Sequence, residues 1–308
     1  MITAMEKLID IPKDKYVVAV SGGIDSMVLL DLVRRCSEQS EVLVGHYMHG
    51  VRLAEEGARD LRVITEYCDK HNIRVQVKRY SGSSQSEAEL RRARYEFLEN
   101  LRETEDYNYI LTAHHNDDVI ETAIINLLRG TNSAGLVSLG EREKIKRPLL
   151  DWSKTDILVY AKTNRVQWHE DSTNTNTKYL RNYVRQEIVP KLEASGKLAK
   201  FAEAISAHRP VEEEANIILG EVISRISEIT PTAVKIQKTK LIQLPHAVSL
   251  KVLRVILADA RLQVEVDTNL LTKAVVFAKT ARAGSKMDLS KHAVMSVESQ
   301  TIELGPRG

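Results

Sequence analysis

The segment SGGIDS at positions 21–26 holds the residues best suited to binding an anion. Its two glycines let backbone N–H groups close around a phosphate, and its two serines add hydroxyl donors. Asp25 could hold a divalent cation against that phosphate. The segment lacks the Gly-Lys-Ser/Thr of a Walker A loop and the spacing of a dinucleotide-binding GxGxxG motif. We therefore predict a phosphate-binding loop of another type, with an ordinary tight turn as the weaker alternative.

A second polar cluster, TAHHNDDVIET at positions 112–122, follows an apolar run and opens a helical pattern. Asp118 and Glu121 lie one helical turn apart, so both could face one site and hold Mg²⁺. An ion there would neutralise charge on a phosphate leaving group. The alternative is structural, with Asp117 or Asp118 capping the helix and the two histidines packing. A phosphate-binding loop at the same edge of the fold favours the functional interpretation.

A zinc site is the main alternative for the histidines. His46, His49, His114 and Asp118 could bind zinc together, which would make the protein a metallohydrolase. This alternative leaves the phosphate-binding loop without a role. We expect instead that the segment HYMHGVR at 46–52 borders the adenine and ribose of a nucleotide.

Arginines are clustered in two helical patterns. Arg91 and Arg94 lie three positions apart, and Arg181 and Arg185 lie four apart, so each pair can share one helical face. Guanidinium groups suit phosphate oxygens because they offer paired donors in one plane. A solvated surface helix is the alternative. For Arg91 and Arg94 taken alone, the solvated surface helix is the better interpretation. For Arg181 and Arg185, the surface and the phosphate-binding interpretations are equally good.

The elements that would position these residues alternate between strands and helices. Short apolar runs predict strands at 16–20, 42–47, 74–77 and 109–113. Helical spacing predicts helices at 27–33, 54–72, 86–102 and 118–128. This alternation is typical of a doubly wound, mainly parallel α/β sheet of the Rossmann-like type. In such a sheet, phosphates bind at the carboxyl ends of the strands, where both polar clusters lie.

The pattern changes after Pro148. Helical spacing continues at 152–164 and 181–192, and then over one long helix or two, interrupted at Pro210, at 197–229. Two further helices and several strands are predicted beyond 232, at 233–236, 247–260, 269–278 and 294–304. We therefore predict three parts: a catalytic domain at 1–192, a helical linker at 193–230 and a small α+β domain at 231–308.

The composition excludes several classes of function. Of 308 residues, 43% are hydrophobic and 28% are charged, which predicts folded domains rather than disorder. The formal net charge of +2 neither demands nor excludes a nucleic-acid partner. Cys36 and Cys68 form no CxxC pair, which argues against an iron–sulfur site and fits a reducing compartment. Since no apolar run is long enough to span a membrane, we expect a cytoplasmic protein.

Nine segments taken together resemble one family, the tRNA(Ile) lysidine synthetases. The first of them resembles the PP-loop of the N-type ATP pyrophosphatases, which split ATP between its α- and β-phosphates. The segments are SGGIDS at 21–26, HYMHGVR at 46–52, RRARY at 91–95, TAHHNDDVIET at 112–122, RGTNSAGL at 129–136, RPLL at 147–150, EDSTN at 170–174, RNYVR at 181–185 and IVPKL at 188–192. They span about 60% of the chain, and their order makes the resemblance specific.

The resemblance implies a ligase that acts on the wobble cytidine of tRNA(Ile) with a CAU anticodon. ATP would adenylate the C2 oxygen of the cytosine, and the ε-amine of free L-lysine would then replace AMP to give lysidine. The base must leave its stack to expose C2, which an anticodon loop permits at modest cost. A homodimer is possible, and no membrane partner is expected.

Carried over position by position, the resemblance implies that the loop residues bind the ATP phosphates: Ser21, Gly22, Gly23, Ile24, Asp25 and Ser26. It implies that Asp25 and Asp118 are the Mg²⁺ ligands and catalytic carboxylates. His114, Arg94 and Arg185 would complete the active site. The candidates for binding tRNA are Arg91, Arg181, Arg185 and Lys178, with Lys235, Lys238, Lys240, Lys251 and Arg254 in the C-terminal part.

Two positions depart from the family pattern. Met48 and Val119 stand where the family commonly has Asn and Gln, so a polar contact to ATP is absent or supplied differently. A tRNA thiolase is a rival that shares the PP-loop and the adenylation step, but many thiolases need paired cysteines. A nucleotide-binding RNA chaperone without catalysis is a further alternative, and the retained carboxylates Asp25, Asp117 and Asp118 speak against it.

Overall fold

A computed structural model describes residues 11, 13–36, 41–48, 54–80, 87–130, 136, 144–169, 180–230, 233–259, 264 and 266–307. The chain forms two compact units, residues 1–209 and 210–308. The division between them falls inside the helix Leu198–Ile226. The predicted linker at 193–230 contains this helix, and the three-part division stays a prediction.

The first unit is built on a five-stranded parallel sheet with strand order β3-β2-β1-β4-β5. The strands are β1 Tyr16–Ala19, β2 Val42–Met48, β3 Arg74–Arg79, β4 Tyr109–Leu111 and β5 Ile145–Lys146. In β1, Tyr16, Val17 and Val18 are fully buried, as expected for a central strand covered on both faces. The chain order reverses at β1, which lies between β2 and β4, so the predicted α/β fold class is confirmed.

Helices follow these strands in the doubly wound pattern. They are α1 Ile24–Cys36, α2 Ala54–His71, α3 Glu87–Thr104, α4 Asn116–Leu128, α5 Lys154–Thr163, α6 Leu180–Tyr183 and α7 Val189–Ala194, with a π-helical turn at Val184–Ile188 between the last two. Helix α1 is the most deeply placed, because Met27, Val28, Leu29 and Leu30 are fully buried in the main core. The loop that precedes α1 is therefore anchored to the centre of the unit.

A buried carboxylate ties three of these helices together. Asp31 of α1, whose side chain is 5% exposed, accepts hydrogen bonds from Tyr67 of α2 at 2.6 Å and Tyr160 of α5 at 2.7 Å. Arg34 and Arg35 of its own helix also donate to it. Burial alone would raise the pKa of Asp31, but these four donors outweigh it and lower the pKa.

The second unit contains an antiparallel sheet with strand order β6-β7-β10-β9-β8. The strands are β6 Ser227–Ile229, β7 Val234–Gln237, β8 Ser285–Asp288, β9 Ala293–Val297 and β10 Thr301–Pro306. The helices are α8 Leu198–Ile226, which begins in the first unit, α9 Lys238–Gln243, α10 His246–Asp259 and α11 Thr268–Thr280. One apolar core, drawn from residues 219–304, holds this α+β unit together.

The strand β5 and the helix α9 were not predicted, and the observed elements differ from the predicted ones at four further places. The helix expected to run to 229 ends at Ile226, because residues 227–229 pair antiparallel with β7. Helix α8 continues through Pro210, so one helix is present rather than two. The strand β8 was not predicted, because its sequence SKMD has little β propensity. The predicted helix 181–192 contains the π-helical turn. Among the described residues, no helix combines the length and apolar character needed to cross a membrane.

Candidate active site

The loop between β1 and α1 forms one wall of the candidate site. The backbone N–H of Ser21 donates to Ser26 Oγ at 3.1 Å, and Ser26 Oγ donates to the carbonyl of Gly23 at 2.9 Å. The two serine hydroxyl oxygens lie 3.2 Å apart. The loop therefore folds back over the first turn of α1, where backbone N–H groups and the helix dipole favour an anion.

Gly22 is held from outside the loop by two other elements. It has a φ of +92°, and a Cβ at this position would lie 2.9 Å from the Cβ of Asp60 on α2. The backbone N–H of His169 donates to the Gly22 carbonyl at 3.0 Å, and His169 Nδ1 lies 2.8 Å from Asp60 Oδ1. Only glycine suits this position, because both the backbone angle and the space exclude a side chain.

His115, the residue that caps α4, lies among three carboxylates. Its Nε2 lies 3.5 Å from Asp118 Oδ2 and 3.8 Å from Asp25 Oδ1, and its Nδ1 lies 3.8 Å from Asp117 Oδ1. The side chain is 4% exposed. Burial alone would lower the pKa of His115, but the three carboxylates outweigh it and raise the pKa. The imidazole of His115 thus lies between Asp25 of the phosphate-binding loop and Asp118 in the first turn of α4.

His114 faces the opposite electrostatic environment. Four arginines, which we call the basic cluster, lie close enough to affect it: Arg147, Arg91, Arg94 and Arg181. Burial, followed by the charges of these arginines, lowers the pKa of His114 to about 2. Its Nδ1 lies 2.9 Å from Thr112 Oγ1. His114 is therefore neutral, and its neighbourhood is prepared for an anion.

Arg185 lies in the π-helical turn and is held by Glu121 of α4. Its Nε donates to Glu121 Oε1 at 2.6 Å and its Nη2 to Oε2 at 2.9 Å, while Nη2 lies 3.6 Å from Asp118 Oδ1. The Glu121 side chain is 3% exposed, and burial raises the pKa of this carboxyl in spite of Arg185. Glu121 thus orients an arginine instead of standing beside Asp118 as a second metal ligand.

Lys154, the first residue of α5, also reaches the loop. Its Nζ donates to Asp25 Oδ1, the same oxygen that faces His115. Its backbone N–H donates to Asp117 Oδ1 at 3.3 Å. Helix α5 therefore contacts both the loop and the start of α4.

The carboxylates fit a magnesium ion better than zinc. Asp25 and Asp118 are 33% and 16% exposed and converge on one nitrogen of His115, and Mg²⁺ typically takes one or two carboxylates together with phosphates and water. Within the described ranges, no group of three or more His, Cys, Asp or Glu residues is arranged to hold a metal. His46 Nδ1 lies 2.8 Å from the Val20 carbonyl, and His49 lies outside the described residues.

The structure thus brings most of the predicted residues to one sheet edge. Asp25 and Asp118 both face His115, and Arg185 contacts Asp118. His114 lies near the basic cluster, which includes the predicted Arg91, Arg94 and Arg181. Lys178 and the segment 170–174 lie outside the described residues. Val119 is buried in an apolar cluster with Ala123, Leu150 and Ile205, so its departure from the family pattern serves packing.

Sequence reasoning missed several residues of the site. His115 was considered only as a packing residue or as one of the histidines of the 112–122 motif, and Asp60 and His169 were not singled out. Lys154 lies 129 positions from Asp25, a separation that no spacing rule connects. A signal for Glu121 existed, since its i+3 spacing from Asp118 was noted, but the spacing did not identify Arg185 as its partner.

Comparison with known proteins defines first the class and then the family. The PP-loop domain family matches residues 2–192, which is more than half of the chain. The protein is therefore a PP-loop protein, in agreement with its fold. A tRNA(Ile)-lysidine synthase of Bdellovibrio bacteriovorus is 32% identical over 221 residues, which cover 71% of this chain and 70% of that protein. The chain belongs to the tRNA(Ile)-lysidine synthase family of PP-loop proteins.

Other relatives differ in length or only share the fold. A tRNA(Ile)-lysidine synthase of Exiguobacterium sibiricum is 35% identical over 195 residues, 61% of this chain and 46% of that protein. The chain spans about half the length of the first curated relatives it matches. The U34-tRNA thiolase NcsA of Methanococcus maripaludis, solved with its [4Fe-4S] cluster, has a TM-score of 0.53 at 15% identity and covers 66% of this chain and 76% of its own. That likeness concerns the fold alone.

Proposed function

We propose that the protein is an ATP-dependent ligase that converts the wobble cytidine of tRNA(Ile) with a CAU anticodon to lysidine. It would adenylate the C2 oxygen of the cytosine, release pyrophosphate, and then join the ε-amine of L-lysine to C2 with loss of AMP. One observation carries the proposal: His115 lies within 4 Å of both Asp25 of the phosphate-binding loop and Asp118 of α4. This contact supports the proposal because it brings Asp25 of the loop and Asp118 of α4, the two carboxylates proposed to act on ATP, to the same side chain.

The loop and the α4 carboxylates would handle the nucleotide. The loop N–H groups and serine hydroxyls bind the phosphates, and Asp25 and Asp118 hold Mg²⁺, which supplies charge neutralisation on the leaving pyrophosphate when it is bound. His115 keeps the two carboxylates at a fixed separation through its contacts with both. Asp118 also accepts a hydrogen bond from the His115 backbone at 3.1 Å, so its orientation is fixed before ATP arrives.

The basic side of the site would handle the RNA and the second step. Arg185, oriented by the two hydrogen bonds that it donates to Glu121, would stabilise negative charge on AMP as it leaves. The guanidinium carbons of Arg94 and Arg91 lie 5.5 and 5.3 Å from the centroid of the Tyr95 ring. Together with Arg181 they suit the phosphates that flank an extruded nucleotide.

In the second unit we propose a supporting role in tRNA binding. Lys238 and Lys240 donate to backbone carbonyls, so their charges are not cancelled by those contacts. Lys251 pairs with Glu212 at 3.4 Å and Lys235 with Glu303 at 3.1 Å, so these two lysines are weaker candidates. The reaction would take place in the cytoplasm, and a homodimer, testable by light scattering, stays a prediction.

The direct test supplies the protein with tRNA(Ile) bearing CAU, ATP and radiolabelled L-lysine. We expect label in the tRNA, with AMP and pyrophosphate formed in equal amount, and no label in a tRNA whose wobble cytidine is replaced by uridine. Asp118→Asn should abolish pyrophosphate release while tRNA binding is retained. The matched control is Asp106→Asn, because Asp106 is 97% exposed. Failure of wild type to incorporate lysine would overturn the proposal.

A thiolase is the rival that the shared fold raises. Burial raises the pKa of Cys68 to about 12 and also raises the pKa of Cys36, so neither thiol is a ready thiolate at neutral pH. Sulfur in the product RNA instead of lysine, detected by mass spectrometry of its nucleosides, would favour the thiolase.

A further inference from the structure

We propose that Lys154 binds the phosphate chain of ATP and stabilises pyrophosphate as it leaves. The inference deepens the proposed function and rests on it for the reaction, although the binding role can be tested without tRNA or lysine.

The phosphate-binding loop contains no cation of its own. In a Walker A loop a lysine beside the glycines reaches the β- and γ-phosphates as a point charge. Here no lysine or arginine occurs between Tyr16 and Val33, so the strand, the loop and most of α1 lack one. The loop can offer N–H groups, hydroxyls and the helix dipole, but a full positive charge for a polyphosphate must come from elsewhere in the chain.

Lys154 brings that charge to the loop. Its ammonium donates to Asp25, in the first turn of α1, although the two residues lie 129 positions apart. The pair is open to solvent, with the lysine side chain 38% and the aspartate side chain 33% exposed. Ion pairs of this exposure are held weakly, so the ammonium can turn from Asp25 to a phosphate oxygen.

The backbone of Lys154 is fixed, so the ammonium is delivered to one place. Ser153 and Asp156 form a capping box at the start of α5, with the Ser153 backbone N–H donating to Asp156 Oδ2 at 2.9 Å. The Lys154 backbone N–H donates to Asp117, and Tyr160 further along α5 donates to Asp31. Helix α5 is therefore tied to α1 and α4, the two helices that hold the predicted magnesium ligands.

The chemistry of adenylation needs a charge at this place. The C2 oxygen of cytosine attacks the α-phosphorus, a new O–P bond forms, and the bond from that phosphorus to the bridging oxygen breaks. Its electron pair stays on the pyrophosphate, so negative charge grows there. Lys154 neutralises that charge without transferring a proton, and its effect is larger in the transition state than in bound ATP.

The test compares Lys154→Met, which keeps the length and removes the charge, with Lys154→Arg, which keeps the charge. We expect Lys154→Met to bind ATP about 10- to 100-fold more weakly by calorimetry and to bind AMP as the wild type does, because AMP lacks the β- and γ-phosphates. Pyrophosphate release in a single turnover with tRNA should slow about 100- to 1,000-fold, and Lys154→Arg should recover much of both losses. Lys162→Met, at the far end of α5, serves as the control.

Two outcomes would overturn the proposal. One is a Lys154→Met protein that prefers ATP over AMP as strongly as the wild type. The other is an equal loss of ATP and AMP affinity together with a lowered thermal midpoint, which would mark a purely structural lysine. If the wild type binds ATP in the expected Lys154-dependent way but incorporates no lysine, the proposed function fails while the phosphate-binding role of Lys154 stands.

Discussion

At the scale of single residues, the contact between Gly22 and Asp60 is the tightest constraint on the site. We expect Gly22→Ala to destabilise the protein by ~1–3 kcal/mol, because a Cβ there would lie 2.9 Å from Asp60 Cβ and 3.0 Å from Asp60 Cα, on backbone at φ +92°. The affinity for ATP should also fall, because the substitution distorts the phosphate-binding loop. Denaturant unfolding and nucleotide titration measure the two effects.

Gly23→Ala is the matched control for stability. A Cβ at Gly23 would meet only Ser21 Oγ, at 3.6 Å, which is an ordinary contact, and the position has no positive φ. Equal destabilisation by the two substitutions would mean that the Asp60 contact is not what requires glycine at position 22.

The pKa values of the two adjacent histidines are shifted in opposite directions. We expect nitrogen chemical shifts in NMR spectra to show His115 titrating at a higher pH than a free imidazole, because its pKa is raised, and His114 still neutral at pH 5, because its pKa is about 2. A His114 that titrates near 6.5 would contradict the basic cluster around it.

His114 also makes stability depend on pH. Its folded pKa is depressed, so the stability it contributes is present above its unfolded pKa of about 6.5 and is lost as pH falls toward 2. At pH 5 the loss should be about 2 kcal/mol relative to neutral pH. His114→Gln should remove this component, measured as the difference between variant and wild type in urea unfolding at the two pH values.

Residues whose role is set by local chemistry could be predicted from the sequence. Gly22 and Asp25 were predicted because glycine turns and carboxylates signal their use through residue type alone. Lys154 was not, because its contact with Asp25 exists only after α5 packs beside α1. The charge states of His114 and His115 were equally inaccessible, since they depend on which arginines and aspartates the fold brings to each ring.

At the scale of elements, helices α1 and α5 are joined at two points. Lys154 of α5 contacts Asp25, and Tyr160 of the same helix contacts Asp31. The first contact lies at the site and the second in the interior, so the interior contact sets the position from which the lysine reaches the loop.

We expect Asp31→Asn to destabilise the protein by about 3 kcal/mol at neutral pH, because it leaves buried donors from α2 and α5 without their charged acceptor. The pKa of Asp31 is lowered in the folded state, so the stability it adds is present above about pH 4 and is lost as pH falls below that. The variant and wild type should therefore converge in acid. Asp69→Asn, on the exposed end of α2, is the control.

Element prediction succeeded where pattern and packing agree. The strand Tyr16–Ala19 and the helices around the site were predicted from the spacing of apolar residues, and those apolar residues are the ones that pack in the core. The strand Ser227–Ile229 was taken for helix because its only strand signal is its partner β7, and partners are not visible in a local window. The π-helical turn that carries Arg185 likewise has no periodicity of its own.

At the scale of the whole molecule, the chain divides within α8. We expect a fragment of residues 1–209 to fold and to bind ATP with wild-type affinity, because Phe201 and Ile205 pack in apolar clusters with residues of α4. Affinity for tRNA should fall, since the lysines of the second unit are removed. Circular dichroism, calorimetry with ATP and filter binding with tRNA measure the three properties.

A shorter fragment tests whether Phe201 and Ile205 stabilise the first unit. Residues 1–196 end at Gly196, where the backbone turns at φ +66°, and lack both Phe201 and Ile205. This fragment should be less stable than 1–209. Equal stability of the two fragments, or loss of ATP binding in the longer one, would mean that the first unit depends on something beyond these contacts.

The surroundings of Trp152 provide a built-in optical probe of the site. Its side chain is 4% exposed, its carbonyl accepts the Asn116 N–H at 2.9 Å, and its ring meets that of Tyr160 edge-on at 5.9 Å. It therefore sits two residues before the lysine proposed to meet ATP and beside the tyrosine that anchors α5. The chain has two tryptophans, so replacing Trp168 by phenylalanine leaves one emitter whose intensity and wavelength report occupancy of the site without an added label.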